Sequence, residues 1–392
     1  MRIGRTLLFI TTIVLVAISS SVHSRASRPS VDRPPVAKKF HAKFQVGAGQ
    51  VKAGEPAELR FDILNDAGES VRFLQYVHER PIHLMIVSDD LQEFYHVHPE
   101  LVTDYFSLSQ TFPHGGKYHL FADFTPPGGY QTVEHFTLDV AGQKRPNVPL
   151  IPDDTRTKTL DGLRVTMSAD KPLRAGEDML STFSLADANT GNPVNDLQLY
   201  LGALAHVAIF DQTLTSLIHA HPLDAGEIYD PSNGPQYHTH NPEDVAKKLV
   251  GPSPSEVRVP MIVPHAGLYK MWVQFQRNGH VIAVPFVVAV HEAASKTETQ
   301  TEIPADAVLV KISSSGYEPS RIEAAAGKSL KLAFRRIDAQ NCGGTVVFPE
   351  LNISRTLAVG ETSIIEFTPE RSGSFSFACA MGMYKGVVVV TN

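Results

Sequence analysis

A three-histidine spacing that occurs twice constrains this chain more than any other feature. His83, His96, His98 and Pro99 follow one another at intervals of 13, 2 and 1 residues, and His206, His219, His221 and Pro222 repeat those intervals. Landmarks on either side repeat as well. Ala53-Gly54-Glu55 matches Ala175-Gly176-Glu177, and Pro113-His114-Gly115-Gly116-Lys117-Tyr118 matches Pro264-His265-Ala266-Gly267-Leu268-Tyr269. So many fixed offsets are improbable by chance, and residues 39–142 and 159–293 read as a tandem duplication. Whatever fold the first copy takes, the second is expected to share.

Both copies alternate apolar and polar residues, as in Ala57-Glu58-Leu59-Arg60-Phe61-Asp62-Ile63, with Gly and Pro between the runs and no long 3.6-residue period. That pattern predicts short strands packed as a β-sandwich. A third stretch, 307–392, alternates in the same way (Val308 to Ile312, Ser363 to Phe367), and Ala326-Gly327-Lys328 echoes the earlier Ala-Gly-Glu. The expected fold class is therefore all-β, with three tandem β-sandwich (Ig-like or cupredoxin-like) domains. Residues 143–157, carrying Pro146, Pro149 and Pro152, and the polar 294–306 read as linkers. From His98 to His114 is 16 residues but from His221 to His265 is 44, so the second copy carries an insertion, placed at 223–258. It contains Tyr237-His238-Thr239-His240, read as surface loop, and a short helix over 241–249 with Asn241 as N-cap and Pro242 at the first helical position.

The N-terminus carries Arg2 and Arg5, an apolar run from Leu7 to Ala17, and Val22 and Ser24 at the positions a signal peptidase reads. Residues 1–24 are expected to be a signal peptide and 25–38 a flexible spacer, which makes the mature chain periplasmic or secreted, with no integral membrane domain after cleavage. An uncleaved anchor is the alternative. The net charge of −6 and the lack of basic runs exclude a nucleic-acid partner. No Gly-x-Ser-x-Gly elbow, no His-Glu-x-x-His helix and no cysteine in a nucleophile's setting occur, so a hydrolase is not indicated.

If 82–87 and 94–98 form a hairpin around Asp89-Asp90, directly opposed residues share an index sum of 179, which sets His83 against His96 with His98 on the same face. The same construction in the second copy uses a sum of 425 and sets His206 against His219, with His221 beside them. Each copy would then gather three imidazoles, with His114 or His265 as a fourth, to hold zinc, Cu(II) or Ni(II). The competing reading is structural: buried histidines bonded to backbone carbonyls and kept in both copies because duplication copied them.

Near the C-terminus, Cys379, Met381 and Met383 alternate with the small Ala380 and Gly382, and at period two they share a face. Thiolate and thioether sulfur select Cu(I), with Cys342 as the fourth ligand. Only two cysteines are present, and in an exported chain a Cys342–Cys379 disulfide is the alternative. The order Cys342-Gly343-Gly344-Thr345-Val346-Val347-Phe348-Pro349, then Glu366-Phe367-Thr368-Pro369, Gly373, and Cys379 to Met383 followed by Gly386, resembles the cupredoxin (plastocyanin-like) domains of bacterial exported copper proteins and copper-transporting ATPases. The resemblance implies a Greek-key sandwich with Cys342 where a blue-copper protein has its first histidine and Cys379 at the thiolate ligand. No histidine follows Cys379, so the ligand set of an electron-transfer centre is missing and Cu(I) holding is implied instead. The first two domains resemble, more loosely, uncharacterised exported domains associated with heavy-metal resistance.

The expected function is that of a non-enzymatic exported copper-binding protein. It would buffer, deliver or sequester Cu(I) through Cys342, Cys379, Met381 and Met383, with further metal at His83, His96, His98 and His114 and at His206, His219, His221 and His265, and with a copper transporter or chaperone as partner. The alternatives are an adhesion or scaffold protein of Ig-like beads with a structural disulfide, and a multicopper-oxidase-like enzyme. The second of these lacks its His-Cys-His element, because Ala378 and Ala380 flank Cys379.

Overall fold

The computed structural model describes residues 40–127, 131–223, 251–292, 303–313, 316–337, 344–351, 353–357, 360–379 and 384–391. The expected signal peptide and spacer, His238, His240 and the short helix of the insertion lie outside the described residues. What is described is almost entirely β.

In the first repeat, β1 (Phe40–Val46), β2 (Pro56–Asn65), β3 (Ile82–Ser88), β4 (Phe94–Val97), β5 (Glu100–Leu101), β6 (Phe106–Thr111), β7 (Gly116–Phe124) and β8 (Thr132–Val140) form two sheets, ordered β1-β2-β6-β5 and β4-β3-β7-β8. In the second, β9 (Thr157–Leu160), β10 (Leu163–Ala169), β11 (Asp178–Asp187), β12 (His206–Asp211), β13 (Leu217–Ala220), β14 (Glu256–Ile262), β15 (Gly267–Arg277) and β16 (His280–Val290) form sheets ordered β14-β11-β10-β9 and β13-β12-β15-β16. Strands β10 to β16 take the places of β1–β4 and β6–β8, so the duplication is one of topology as well as spacing. Residues 256–258, counted above with the insertion, are the start of β14.

The third domain comprises β17 (Val308–Ser313), β18 (Gly316–Glu318), β19 (Arg321–Ala325), β20 (Leu330–Arg336), β21 (Thr345–Phe348), β22 (Ile353–Thr356), β23 (Thr362–Phe367), β24 (Gly373–Cys379) and β25 (Lys385–Thr391), in sheets β18-β17-β20-β23 and β19-β25-β24-β21-β22. Its parallel pairs, β17 with β20 and β19 with β25, set it apart from the antiparallel pairing of the repeats.

The echoing Ala-Gly tripeptides are one turn built three times. Ala53, Ala175 and Ala326 each donate their backbone N–H to the carbonyl of Ala141, His291 or Thr391, at 2.8, 2.9 and 2.8 Å. The glycine that follows has φ of 80°, 69° and 74°, a left-handed backbone that disfavours any side chain. The Pro-His-x-Gly landmarks are corners of another kind. Tyr118 and Tyr269 donate their hydroxyls to the carbonyls of His114 and His265, at 3.1 and 3.0 Å, which pins the chain as it enters β7 and β15.

Burial alternates along β2, where Leu59, Phe61 and Ile63 enter the core. Strand β3, by contrast, is buried at every residue. Its even positions, Ile82, Leu84 and Ile86, pack inside the first sandwich. Its odd positions Met85 and Val87, with Phe121 of β7, pack against Ala208, Phe210 and Trp272 of the second repeat. At the centre of this seam Phe94 and Trp272 stack with ring centroids 4.8 Å apart and planes 15° from parallel, a contact worth about 0.5–1.5 kcal/mol beyond the area it buries. The two repeats therefore share a core through one sheet each. The linker 143–157 is tied down too: Asp153 exchanges hydrogen bonds with Val287, donating its N–H to the Val287 carbonyl at 3.0 Å and accepting the Val287 N–H at 2.8 Å.

The third domain is docked rather than tethered. Arg336, 1% exposed, donates to the carbonyl of Pro264 at 3.2 Å, and Lys385 Nζ donates to Thr132 Oγ1 at 3.1 Å.

Candidate metal centre

Along the seam between the repeats the outward faces change character. Strand β3 runs from Val87 through Met85 to His83, and β12 from Phe210 through Ala208 to His206. Period-two alternation therefore gives the interface a dry apolar end and a histidine end. Seven histidines crowd the latter: His78, His83, His96 and His98 from the first repeat, and His206, His219 and His221 from the second.

The hairpin registers differ from the expected ones. Met85 opposes His96 and Ala208 opposes His219, index sums of 181 and 427. In each hairpin a leucine with positive φ, Leu91 at 54° and Leu214 at 55°, closes the turn one residue later than a loop centred on Asp89-Asp90 would. A change of two in the sum leaves each side chain on its face, so the histidines still converge, but His83 does not stand opposite His96 in the ladder.

The expectation of one cluster per repeat is also corrected. His83, His96 and His219 form one set whose candidate ligand atoms lie within 4.8 Å of one another, and His78, His206 and His221 form another. Both sets draw on both repeats, because the sheets that carry them face each other. His98 stands 5.0 Å from His83 and 4.8 Å from His96 between ring centroids, outside both sets. Neither His114 nor His265 belongs to either set: they sit at the tyrosine corners, and His114 Nδ1 is 2.6 Å from Glu93 Oε1.

In the first set, the ring nitrogens facing away from the centre are held by acceptors. His83 Nε2 donates to the carbonyl of Val77 at 2.8 Å, His96 Nδ1 to Gln274 Oε1 at 2.7 Å, and His219 Nδ1 to Asp123 Oδ2 at 3.1 Å. A neutral imidazole that donates from one nitrogen carries a bare lone pair on the other. With Gln274 presenting its amide oxygen, His83 Nδ1 and His96 Nε2 turn lone pairs toward each other at 2.9 Å, and His219 Nε2 is buried with no hydrogen-bond partner. On a metal with bonds of about 2.0–2.1 Å, nitrogens 2.9 Å apart subtend about 90°. Far nitrogens tied to a carbonyl, an amide and a carboxylate are the arrangement that orients metal-bound imidazoles. A ring-to-ring hydrogen bond would instead require Gln274 to present its NH2.

The orienting bonds are exchanged between repeats. His96 and His219 are equivalent positions, as are Asp123 and Gln274 when the tyrosine corners are superposed, and each repeat holds the other's histidine. Asp123 is fixed in turn by Gln131 Nε2 at 2.7 Å.

Burial keeps five of the rings neutral. His83 is lowered to about 4 and His98 to about 3, in both cases by loss of solvent first and second by the repulsion a proton would meet from a neighbouring histidine, His219 for His83 and His83 for His98. His96, His206 and His221 are held well below the usual imidazole value by the same causes. Neutral imidazole is the form a metal needs.

In the third domain β24 ends at Cys379, which is 2% exposed and lies opposite Val346 of β21. Tyr384 donates its backbone N–H to Cys379 Sγ at 3.2 Å and accepts the Cys379 N–H at 3.0 Å, closing the link into β25. Lys385, the next residue, has its amine pushed down by burial, opposed by Glu134 and Cys379. Cys342, Met381 and Met383 lie outside the described residues.

The family model described as "Domain of unknown function (DUF8832)" matches residues 37–142 and again 158–292. The chain belongs to this family. The two DUF8832 copies are the two histidine-bearing repeats. A second model, described as a cupredoxin-like domain, matches residues 280–390, and the C-terminal portion is a cupredoxin-like domain. The first residues of that match lie in β16, which is paired with β15 of the second DUF8832 copy. Among solved structures, the chain is 30% identical to the metal binding domain of the Streptococcus pneumoniae D39 Cu(I) exporting P-type ATPase CopA with Cu(I), covering 22% of this chain and 84% of that one at a TM-score of 0.21. It is 34% identical to a copper binding protein solved in the apo form, covering 21% and 85% at a TM-score of 0.21. The Escherichia coli adhesin FdeC shares 15% identity over 64% of each chain at a TM-score of 0.20. A search of curated proteins gives no match.

Sequence reasoning missed His78, Asp123 and Gln274. Superposing the two Pro-His-x-Gly corners places Asp123 on Gln274, a signal present in the repeat. His78 had none, because the equivalent position in the second copy is Leu201.

Proposed function

We propose that this protein binds copper outside the cytoplasm, without catalysing a reaction, and buffers or delivers it to a transporter or chaperone. The observation that carries the reading is the His83, His96 and His219 set, in which every far nitrogen is held by an acceptor and the candidate ligand atoms lie within 4.8 Å of one another. The cupredoxin-like domain favours copper among the metals that imidazole accepts. Within that domain Cys379 supplies a buried sulfur at the end of β24, and Cys342, Met381 and Met383 complete a sulfur-only Cu(I) site. Export follows from the N-terminal pattern of residues 1–24. Among the described residues no helix is long and apolar enough to cross a membrane.

The test is to purify the mature chain anaerobically, titrate it with Cu(I) against a competing chelator, and count thiols and bound metal. Submicromolar Cu(I) binding is expected, and replacing Met381 and Met383 by Leu weakens it about tenfold or more, a loss of about 1.4 kcal/mol. Binding no tighter than micromolar with both thiols reduced refutes the Cu(I) reading, and unchanged affinity in the Leu variant removes the methionines as ligands.

A further inference from the structure

We propose that His78, His206 and His221 form a second metal site beside His83, His96 and His219, so that the two repeats enclose a pair of borderline-soft metal ions in one histidine centre. This deepens the function proposed above and rests on its reading of the first set as a metal site.

The second set has no carboxylate and no sulfur among its donors, which points to Zn(II) or Cu(II) rather than to a hard cation. His206 is 1% exposed, and neither of its ring nitrogens has a hydrogen-bond partner; His221 Nε2 is likewise buried without one. A neutral imidazole always carries one N–H and one lone pair, so burying His206 this way leaves both unsatisfied unless an ion takes the lone pair.

The two sets interleave. His219 and His221 lie 4.5 Å apart between ring centroids yet belong to different sets, and His206 stands 5.6 Å from His96 and 5.7 Å from His219. Ions held by both sets would therefore be close enough for their spins to couple.

The departure from internal symmetry is the most telling observation. Val77 and Arg80 exchange backbone hydrogen bonds at 3.1 Å around His78-Glu79, and Tyr200 and Ala203 do the same at 2.9 and 3.1 Å around Leu201-Gly202. His78 has φ of 47° and Leu201 of 50°, so the turn is the same and leucine suffices to build it. Histidine is not needed for the backbone. In the first repeat alone that position, 2% exposed, sends an imidazole across the seam to stack on His221 at 3.7 Å. Without it the second set has two ligands; with it, three.

The experiment uses the full chain carrying Cys342→Ser and Cys379→Ser, which removes both thiolate donors, loaded with Cu(II) and measured by elemental analysis and EPR. Two coppers per chain are expected, with an EPR spectrum broadened relative to that of isolated ions. His78→Leu, which copies the second repeat, and His78→Asn, which suits the left-handed turn, should each retain one copper at full intensity. Zn(II) loading of the chain with its cysteines intact gives an independent count, with His78→Leu lowering the content by one ion. A single copper in the parent, two with the unbroadened spectrum of isolated ions, or an unchanged count in both His78 variants overturns the pair while leaving the first site standing. If no Cu(II) or Zn(II) binds at the histidines at all, both the pair and the metal reading of the first set fail.

Discussion

Asp123 is a point at which hydrogen bonding and charge can be separated. It is 4% exposed, and a single oxygen, Oδ2, accepts from both His219 Nδ1 at 3.1 Å and Gln131 Nε2 at 2.7 Å. Asp123→Asn with its amide oxygen in that position keeps both bonds and replaces only the carboxylate. Asp123→Ala removes the acceptor altogether. The His219 N–H is then buried without a partner, at a cost of about 1–3 kcal/mol to the metal-free fold, and the ring is free to move its proton to Nε2, the atom that faces the centre. Losing an orienting partner of this kind lowers metal affinity about 10–100-fold, or about 1.4–2.8 kcal/mol. The assay is competitive Zn(II) or Cu(II) titration of the histidine sites, with denaturant unfolding of the metal-free chain alongside. Alanine should weaken binding by that factor and asparagine by distinctly less. Equal losses in the two variants would show that the hydrogen bond is not what orients His219, and an unchanged affinity in Asp123→Ala would remove Asp123 from the centre.

Trp272, 5% exposed and stacked on Phe94, anchors the apolar half of the seam. Trp272→Ala should cost about 3–5 kcal/mol in denaturant unfolding and weaken metal binding at the histidine end; full metal affinity in a destabilised variant would mean that the centre does not depend on the seam. Acid should destabilise the metal-free chain through the buried rings. His83 has a folded value of about 4 against about 6.5 when unfolded. Between those values the unfolded chain binds the proton and the folded chain does not, so stability falls as pH drops from about 6.5 to about 4, and the loss is complete below. For His83 alone it reaches about 3 kcal/mol at 1.36 kcal/mol per unit, and His98 adds to it down to about 3. Denaturant unfolding at several pH values from 7.5 to 4 checks this, and a flat profile would mean that the rings are not buried neutral.

Much of this architecture can be read in the sequence because it depends on local periodicity. Alternation from Ala57 to Ile63, Val308 to Ile312 and Ser363 to Phe367 falls in β2, β17 and β23. The repeated spacing placed His83 with His96 and His206 with His219 on one face of their hairpins, since parity along a strand survives a register error. The register itself was not legible: it turned on Leu91 and Leu214 adopting positive φ, a conformation that nothing in a leucine announces.

What the sequence determined by itself is the kind of strand, the duplication, and which side chains share a face. What only the tertiary structure decided is which faces meet. The outward faces of β3 and β12 each carry apolar residues at one end and histidine at the other, and apposing them buries the apolar ends together and drives the imidazoles of both repeats into one space. Two expected clusters thereby became one centre. His78 entered it from a turn whose counterpart holds leucine, and Asp123 and Gln274 came to orient histidines of the opposite repeat. Contacts between surfaces far apart in the chain follow from burial summed over both repeats, and no local pattern carries that sum.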